Sequence, residues 1–212
     1  MCFSAGASFS AAAVLGIGGT FILSQVTSKK QVLFASIPCI FALQQLCEGL
    51  VWVSLNYGLS YVWQAIGMYG FLFFAIPFWP LWIPLSTYVM ETNKLIKRIL
   101  FYFLLLGIIM FVLSLITLIL TGATAQVLSC HIRYSVISPY ISNDIVLLFY
   151  GLATIVPMFI STTKYMKLFG VVVLLSLFAA AYFYTMAFIS TWCFFGAILS
   201  ILIFMIVHRK AQ

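Results

Sequence analysis

Acidic residues are almost missing from this chain: only Glu48, Glu91 and Asp144 occur among 212 residues, against ten Lys and Arg, and charged residues make up only 6 % of the whole. A soluble domain cannot clothe its surface with so little charge, which excludes an ordinary soluble protein. The basic residues are scattered through short connectors and form no stripe interleaved with aromatics, so the net charge of +7 does not point to nucleic acid. No residue before Lys29 is charged; the basic start of a secretory signal peptide is lacking, and the first apolar segment is expected to stay in the mature protein. The five cysteines, at positions 2, 39, 47, 130 and 193, contain no C-x-x-C pair and define no disulfide framework. No lysine lies inside an apolar segment, which removes a retinal Schiff base, and no arginine ladder suggests a voltage sensor. H-E-x-x-H, G-x-S-x-G and a phosphate-cradling glycine loop are absent too.

What the chain has in quantity is apolar length: 65 % of its residues are hydrophobic. A helix needs about 20 apolar residues to cross the hydrocarbon core. Applied from the N-terminus, that ruler predicts seven spans, Phe9–Val26, Val32–Leu55, Tyr61–Leu81, Ile99–Leu120, Asp144–Ile160, Leu168–Thr185 and Met186–Val207. The expected fold is all-α, a single seven-helix transmembrane domain over residues 1–212 whose partner is the lipid bilayer. Lys29, Lys30, Lys94, Lys97, Arg98, Lys164, Lys167, Arg209 and Lys210 fall on one side of that topology and only Arg133 on the other. Positive charge collects on the cytoplasmic side, which places the N-terminus outside and the C-terminus in the cytoplasm.

In the first span Ala12, Gly16 and Thr20 recur every four residues, a small-residue face for close helix packing. Pro77, Pro80 and Pro84 are expected to kink or end the third span at the cytoplasmic interface, with Trp79 and Trp82 in an aromatic belt. The connector 121–143 is long and carries enough apolar residues to fold back as a cap over the outer mouth of the bundle. No convincing repeat relates the first three spans to the last three.

Glu48 is the acidic residue set inside an apolar span, where a charge costs about 2.5–3.5 kcal/mol on insertion scales and so faces a cavity or a partner. Gln44 and Gln45 stand one turn before it and Trp52 one turn after, a candidate substrate-binding face. The bland alternative is a protonated, hydrogen-bonded Glu that only joins helices. The depth of Glu48, about 10 Å below the outer interface at 1.5 Å per residue, matches that of Cys193 in the last span. Cys2 and His131 lie on the same outer side. Cys2, Glu48, His131 and Cys193 thus form a candidate zinc ligand set, with Glu48 as fourth ligand or general base. Arg133 and Asp144, the outer charges of opposite sign, either pair to pin the loop or orient a substrate or a metal-bound hydroxide. Cys2 and Cys130 could instead form an outer-side disulfide. Cys39 and Cys47 read as small hydrophobes, and Ser190, Cys193, Ala197 and Ser200 make one small, mildly polar face.

The opening Met1-Cys2-Phe3-Ser4-Ala5-Gly6-Ala7-Ser8-Phe9, with Gln44-Gln45, Glu48-Gly49, Trp52 and Trp192-Cys193-Phe194-Phe195, resembles a bacterial family of uncharacterised integral-membrane proteins. That resemblance implies a bacterial inner-membrane location and no particular activity. A looser likeness is to the seven-helix membrane hydrolases that include the alkaline ceramidases, whose zinc sites use three histidines; this chain departs from them, having only His131 in a suitable place. The leading expectation is a membrane-embedded zinc enzyme that hydrolyses or hydrates a small molecule or lipid at the outer face. The rivals are a transporter or channel using Glu48, Gln44 and Gln45 as its binding or proton-coupling site, and a non-catalytic sensory or structural module.

Overall fold

A computed structural model of the chain describes residues 4–128, 131–136, 143–183 and 187–208. Among the described residues, each apolar stretch found with the membrane ruler is largely helical. Helix α1, Ala5–Ser24, starts where the Ser4 side chain accepts from the Ala7 N–H at 3.2 Å, supplying one of the bonds that a helix start lacks. Its buried residues are Ser8, Ala12, Leu15, Gly19 and Ile22, and this face packs on α3, Ile37–Tyr57. The expected stripe of small residues is therefore rotated: Ala12 is inside, but Thr20 is exposed and donates back to the Gly16 carbonyl at 2.9 Å. Gly19 is the point of closest approach, since a Cβ there would stand 2.5 Å from Cys39 Sγ. A one-turn 3-10 segment, Lys29–Gln31, and the short α2, Val32–Ala35, lead into α3.

The third rod departs from expectation. Instead of ending at the prolines it continues from α4, Tyr61–Phe73, through a π-helical segment, Phe74–Phe78, into α5, Trp79–Met90. Proline lacks an N–H, so each of Pro77, Pro80 and Pro84 leaves a carbonyl without its helical partner. The π turn and its neighbours absorb the defect. In π register the Ala75 carbonyl would pair with the N–H of residue 80, which is proline; the Tyr150 hydroxyl donates to it at 2.8 Å instead. Tyr150→Phe is expected to lower stability by about 1–3 kcal/mol, read by thermal unfolding in detergent, because it orphans a buried carbonyl. Trp79 is not an exposed belt residue: it is buried and donates to Gln44, while the half-buried Trp82 donates to the Leu33 carbonyl at 3.1 Å.

Helix α6, Lys94–Thr121, is capped by Asn93, whose side chain accepts from the Leu95 and Ile96 N–H groups. Gly122, at φ 72°, turns the chain out of α6 into a hairpin of β1, Ala123–Leu128, and β2, His131–Val136, paired antiparallel with Gln126 opposite Arg133. The expected cap thus contains a two-stranded sheet in an otherwise helical fold. Beyond it lie α7, Asn143–Thr154, and α8, Val156–Ile160, separated at Ile155 because Pro157 cannot donate to the preceding turn. Then come α9, Met166–Phe183, α10, Phe188–Leu199, a 3-10 turn, Ser200–Leu202, and α11, Ile203–His208.

Five of these rods are long and apolar enough to cross a membrane: Ala5–Ser24, Lys29–Tyr57, Tyr61–Met90, Lys94–Thr121 and Met166–Phe183. The remaining two expected spans appear as the shorter apolar helices Asp144–Ile160 and Phe188–Ala197. Two apolar clusters hold the rods together. One gathers Phe34, Met90, Met166 and Ile203; the other gathers Trp52, Phe71, Ile132, Tyr134 and Cys193 beneath the hairpin.

Candidate functional site

At 3.6 residues per turn, Gln44, Gln45, Glu48 and Trp52 occupy one face of α3, an arc of about 100°. All four are buried, with exposures of 0, 0, 2 and 4 %. This face looks toward α10 and the hairpin, both of which pack on α3 or on each other. Ser190 of α10 donates its hydroxyl to Glu48 Oε1. Cys193, one turn further along α10, is buried in the cluster that contains Trp52 and Tyr134. The expected small face of the last span is inward throughout: Ser190, Cys193, Ala197 and Ser200 are all buried.

Trp79 closes the site from below. Its indole N–H donates to Gln44 Oε1 at 3.0 Å, and its ring stacks on Phe41 with centroids 4.2 Å apart. Tyr134 closes it from the hairpin, its ring stacked on Phe71 at 4.6 Å with 16° between planes. Burial, and then the nearby Glu48, Cys193 and Cys47, push the Tyr134 phenol well above its ordinary pKa, so the hydroxyl stays protonated and able to donate.

The polar atoms of this layer are poorly served by the protein. Gln44 Nε2, both amide atoms of Gln45, Trp52 Nε1, the Tyr134 hydroxyl and the Thr191 hydroxyl are buried with no hydrogen bond of good geometry among the described residues, although the Gln45 amide lies close enough to the Glu48 carboxylate, and the Gln44 amide to the Cys193 thiol, to interact with them. Each such atom costs about 1–3 kcal/mol, so a group of them on converging elements points to water or a ligand between them. Away from this layer Gln31 Oε1 is buried in the same way, while the Gln31 amide donates to the Val207 carbonyl at 3.2 Å.

The proposed zinc ligands are only partly brought together. Glu48 and Cys193 share the layer, as their matched depth predicted. Strand alternation turns Ile132 and Tyr134 inward, which puts His131 and Arg133 on the opposite face of β2; His131 is half-buried and Arg133 exposed. Burial holds the His131 imidazole below its ordinary pKa. Asp144 is exposed in the first turn of α7, where a carboxylate suits the helix dipole. Cys2 and Cys130 lie outside the described residues, and with them their expected disulfide. Among the described residues no three of His, Cys, Asp and Glu are grouped to hold a metal ion. Cys39 and Cys47 act as packing groups: Cys39 meets Gly19 of α1, and the Cys47 backbone and side chain fill the space over Gly67 and Gly70 of α4.

Three participants, Tyr134, Trp79 and Ser190, and one structural carboxylate outside the site, Glu91, are not singled out by the sequence. Tyr134 was readable from alternation along His131–Val136 once a strand was supposed. Trp79 was read as an interface anchor, and Ser190 only as part of a small face. Glu91 had no signal, because its role depends on a loop seventy residues away. Its carboxylate accepts from Thr92, Asn93, Ser161 and Thr162, tying the turn before α6 to the turn before α9.

No curated protein and no solved structure matches the chain. A family model does, over residues 1–212, and the chain therefore belongs to DUF6629, a family of unknown function.

Proposed function

We propose that this chain is a seven-helix integral membrane protein of a bacterial inner membrane, N-terminus outside, that binds a small polar molecule in the chamber around Glu48 as the binding step of a carrier. The observation that carries the binding reading is the group of buried, unpartnered polar atoms of Gln44, Gln45, Trp52, Tyr134 and Thr191 beside the Glu48–Ser190 pair. Support for the orientation comes from contacts at the basic end. Glu91 ties the turn preceding Lys94 to the turn containing Lys164, and Gln31 ties the Lys29–Gln31 turn to Val207. The Lys29–Gln31 turn also packs on α5, next to the Glu91 tie, and this clustering of basic loops supports the charge rule's reading. Glu48, Ser190, Gln44 and Gln45 would contact the ligand, with Trp79 and Tyr134 as the lower and upper closures.

Buried polar atoms without good hydrogen bonds are a stability deficit. Gln45→Met, similar in size and without the two orphaned atoms, is expected to raise the stability of the ligand-free protein by about 1–3 kcal/mol. It is also expected to abolish any small molecule that wild-type protein retains through purification, read by native mass spectrometry. A loss of stability in Gln45→Met would mean that the amide is satisfied in the native state, and the chamber reading would fail. The rival zinc hydrolase makes a different demand: equimolar zinc in the purified protein that is lost in Cys193→Ser would favour it over a carrier.

A further inference from the structure

Glu48 and Glu91 are the two buried carboxylates among the described residues, and their surroundings differ in kind. Glu91 is held by the backbone N–H groups of Thr92, Asn93 and Thr162, which can only donate and so demand a carboxylate. The groups about Glu48 are reversible. Ser190 of α10 gives it a hydroxyl, the Gln45 amide lies beside it on α3, and the Tyr134 phenol of β2 is near enough to feel its charge. A hydroxyl donates or accepts, and an amide turned end for end does the same, so this set serves a carboxylate and a neutral carboxylic acid alike. No Lys or Arg is buried among the described residues, so no buried cation compensates a charge there. The titratable groups sharing the layer are Cys47 on the same helix, Cys193 of α10 and Tyr134, all ordinarily uncharged at neutral pH. Helices α1 and α2, strand β1 and the Ser200–Leu202 turn also pack on α3 and carry no titratable side chain; the tyrosines of α4, Tyr61 and Tyr69, are exposed.

We propose that Glu48 is a reversible proton-binding site, and that a proton is the coupling ion of the carrier. The carboxyl takes a proton from the solvent and holds it as a neutral acid beside Ser190; on giving it back, it draws the hydroxyls of Ser190 and Tyr134 toward the new charge. As a coupling site it rests on the carrier reading above, but binding a proton needs neither a second ligand nor a cavity. The hydrogen bonds that change belong to α3, α10 and β2, and α10 packs on both of the others. Protonation is thereby linked to how these three elements sit together, which is what coupling requires.

The test is infrared spectroscopy of the purified full-length protein in detergent across pH. Glutamate with a heavy carboxyl carbon is incorporated, so that the C=O band of a protonated glutamate moves away from that of Asp144. Glu48 and Glu91 are the only glutamates in the chain, and Glu91 protonates near pH 2, so a shifted band well above that range belongs to Glu48. This assignment holds in wild type even if Glu48→Gln, which should lack the band, does not fold. The band is expected to disappear reversibly as pH rises while tryptophan fluorescence keeps its folded spectrum. Ser190→Ala removes a donor from the ionised form and should move that disappearance upward by about one to two pH units. Tyr134→Phe should move it in the same direction and serves if Ser190→Ala does not fold. No shifted band above the range of Glu91 overturns the proposal. So does a band lost only on unfolding, which would make Glu48 an acid that merely joins helices, or a midpoint unmoved in both variants. A small molecule retained by wild type and lost in Gln45→Met, with no proton on Glu48, would keep the binding reading and remove this one. A reversible band in a protein that retains nothing would keep the proton site and remove the ligand.

Discussion

Glu91→Gln is expected to be among the most destabilising single-atom changes available in this protein, at about 3 kcal/mol or more. The Glu91 side chain is 1 % exposed, and its two oxygens accept five hydrogen bonds. Oε1 takes the Thr92 and Asn93 N–H groups at 2.9 and 3.0 Å and the Thr162 hydroxyl at 2.6 Å. Oε2 takes the Ser161 hydroxyl at 3.2 Å and the Thr162 N–H at 2.8 Å. A glutamine keeps the shape but turns one acceptor into a donor. Ser161 can rotate its hydroxyl to accept, whereas a backbone N–H such as that of Thr162 cannot, so an amide placed there sets donor against donor. Bonds to a charged acceptor contribute about 1.5–3 kcal/mol each, and the loss falls where two loops are joined.

The same carboxylate makes a pH prediction. Burial on its own would raise the Glu91 pKa, but the Thr162 hydroxyl and the N–H groups of Asn93, Thr162 and Thr92 outweigh it and hold the value at about 2, against 4.5 ordinarily. A carboxyl whose pKa is lowered by folding stabilises the folded state fully above its unfolded value and progressively less as acid protonates it in the native state. The contribution, about 3 kcal/mol, is therefore complete above pH 4.5 and is lost as pH falls toward 2. Thermal unfolding across that window should show wild type losing stability more steeply than Glu91→Gln. Parallel pH curves for the two proteins would refute the role assigned to this carboxylate.

Sequence reasoning placed the helices well and the site unevenly, for identifiable reasons. Apolar length is a local property, so every stretch long enough to cross a bilayer became helix, and Glu48, Gln44, Gln45 and Trp52 fell on one buried face because 3.6-residue periodicity fixes it. The matched depth of Glu48 and Cys193 needed only the topology and a rise per residue. What failed depended on partners distant in sequence. The prolines predict a kink or an end because a missing N–H ordinarily costs the helix a bond; the rod is interrupted by a π segment yet continues, with Tyr150, from another helix, donating to the Ala75 carbonyl. His131 attracted notice as a metal-binding type, yet its neighbour three residues on, Tyr134, is the one that strand parity turns into the site. Glu91 was legible only as one more loop charge.

Gly107 carries the other large expectation. Pro84 has no N–H to offer the Pro80 carbonyl, and that oxygen faces α6, where Gly107 sits against it. A Cβ built on Gly107 would stand 2.1 Å from the Pro80 oxygen and 3.0 Å from Pro84 Cγ. The first of these is a backbone atom, which cannot swing aside as a side chain can. Gly107→Ala must therefore drive α5 and α6 apart, at a cost of about 3 kcal/mol, the upper part of the range for overpacking. Helix propensity pulls the other way, since alanine exceeds glycine by about 1 kcal/mol in a helix interior, and it does not suffice. Gly18→Ala isolates that propensity: nothing lies within 4 Å of the Cβ it would add, so it should leave stability unchanged or slightly higher. The displacement also has a functional readout. Trp79 precedes Pro80 and bonds Gln44, so a shift of α5 loosens the lower closure of the chamber. In Gly107→Ala the fluorescence of the buried Trp79, isolated by replacing the other tryptophans with phenylalanine, should move toward that of a solvated indole. A destabilised variant with an unshifted Trp79 spectrum would separate the α5–α6 contact from the site, and equal stabilities for Gly107→Ala and Gly18→Ala would remove the contact altogether.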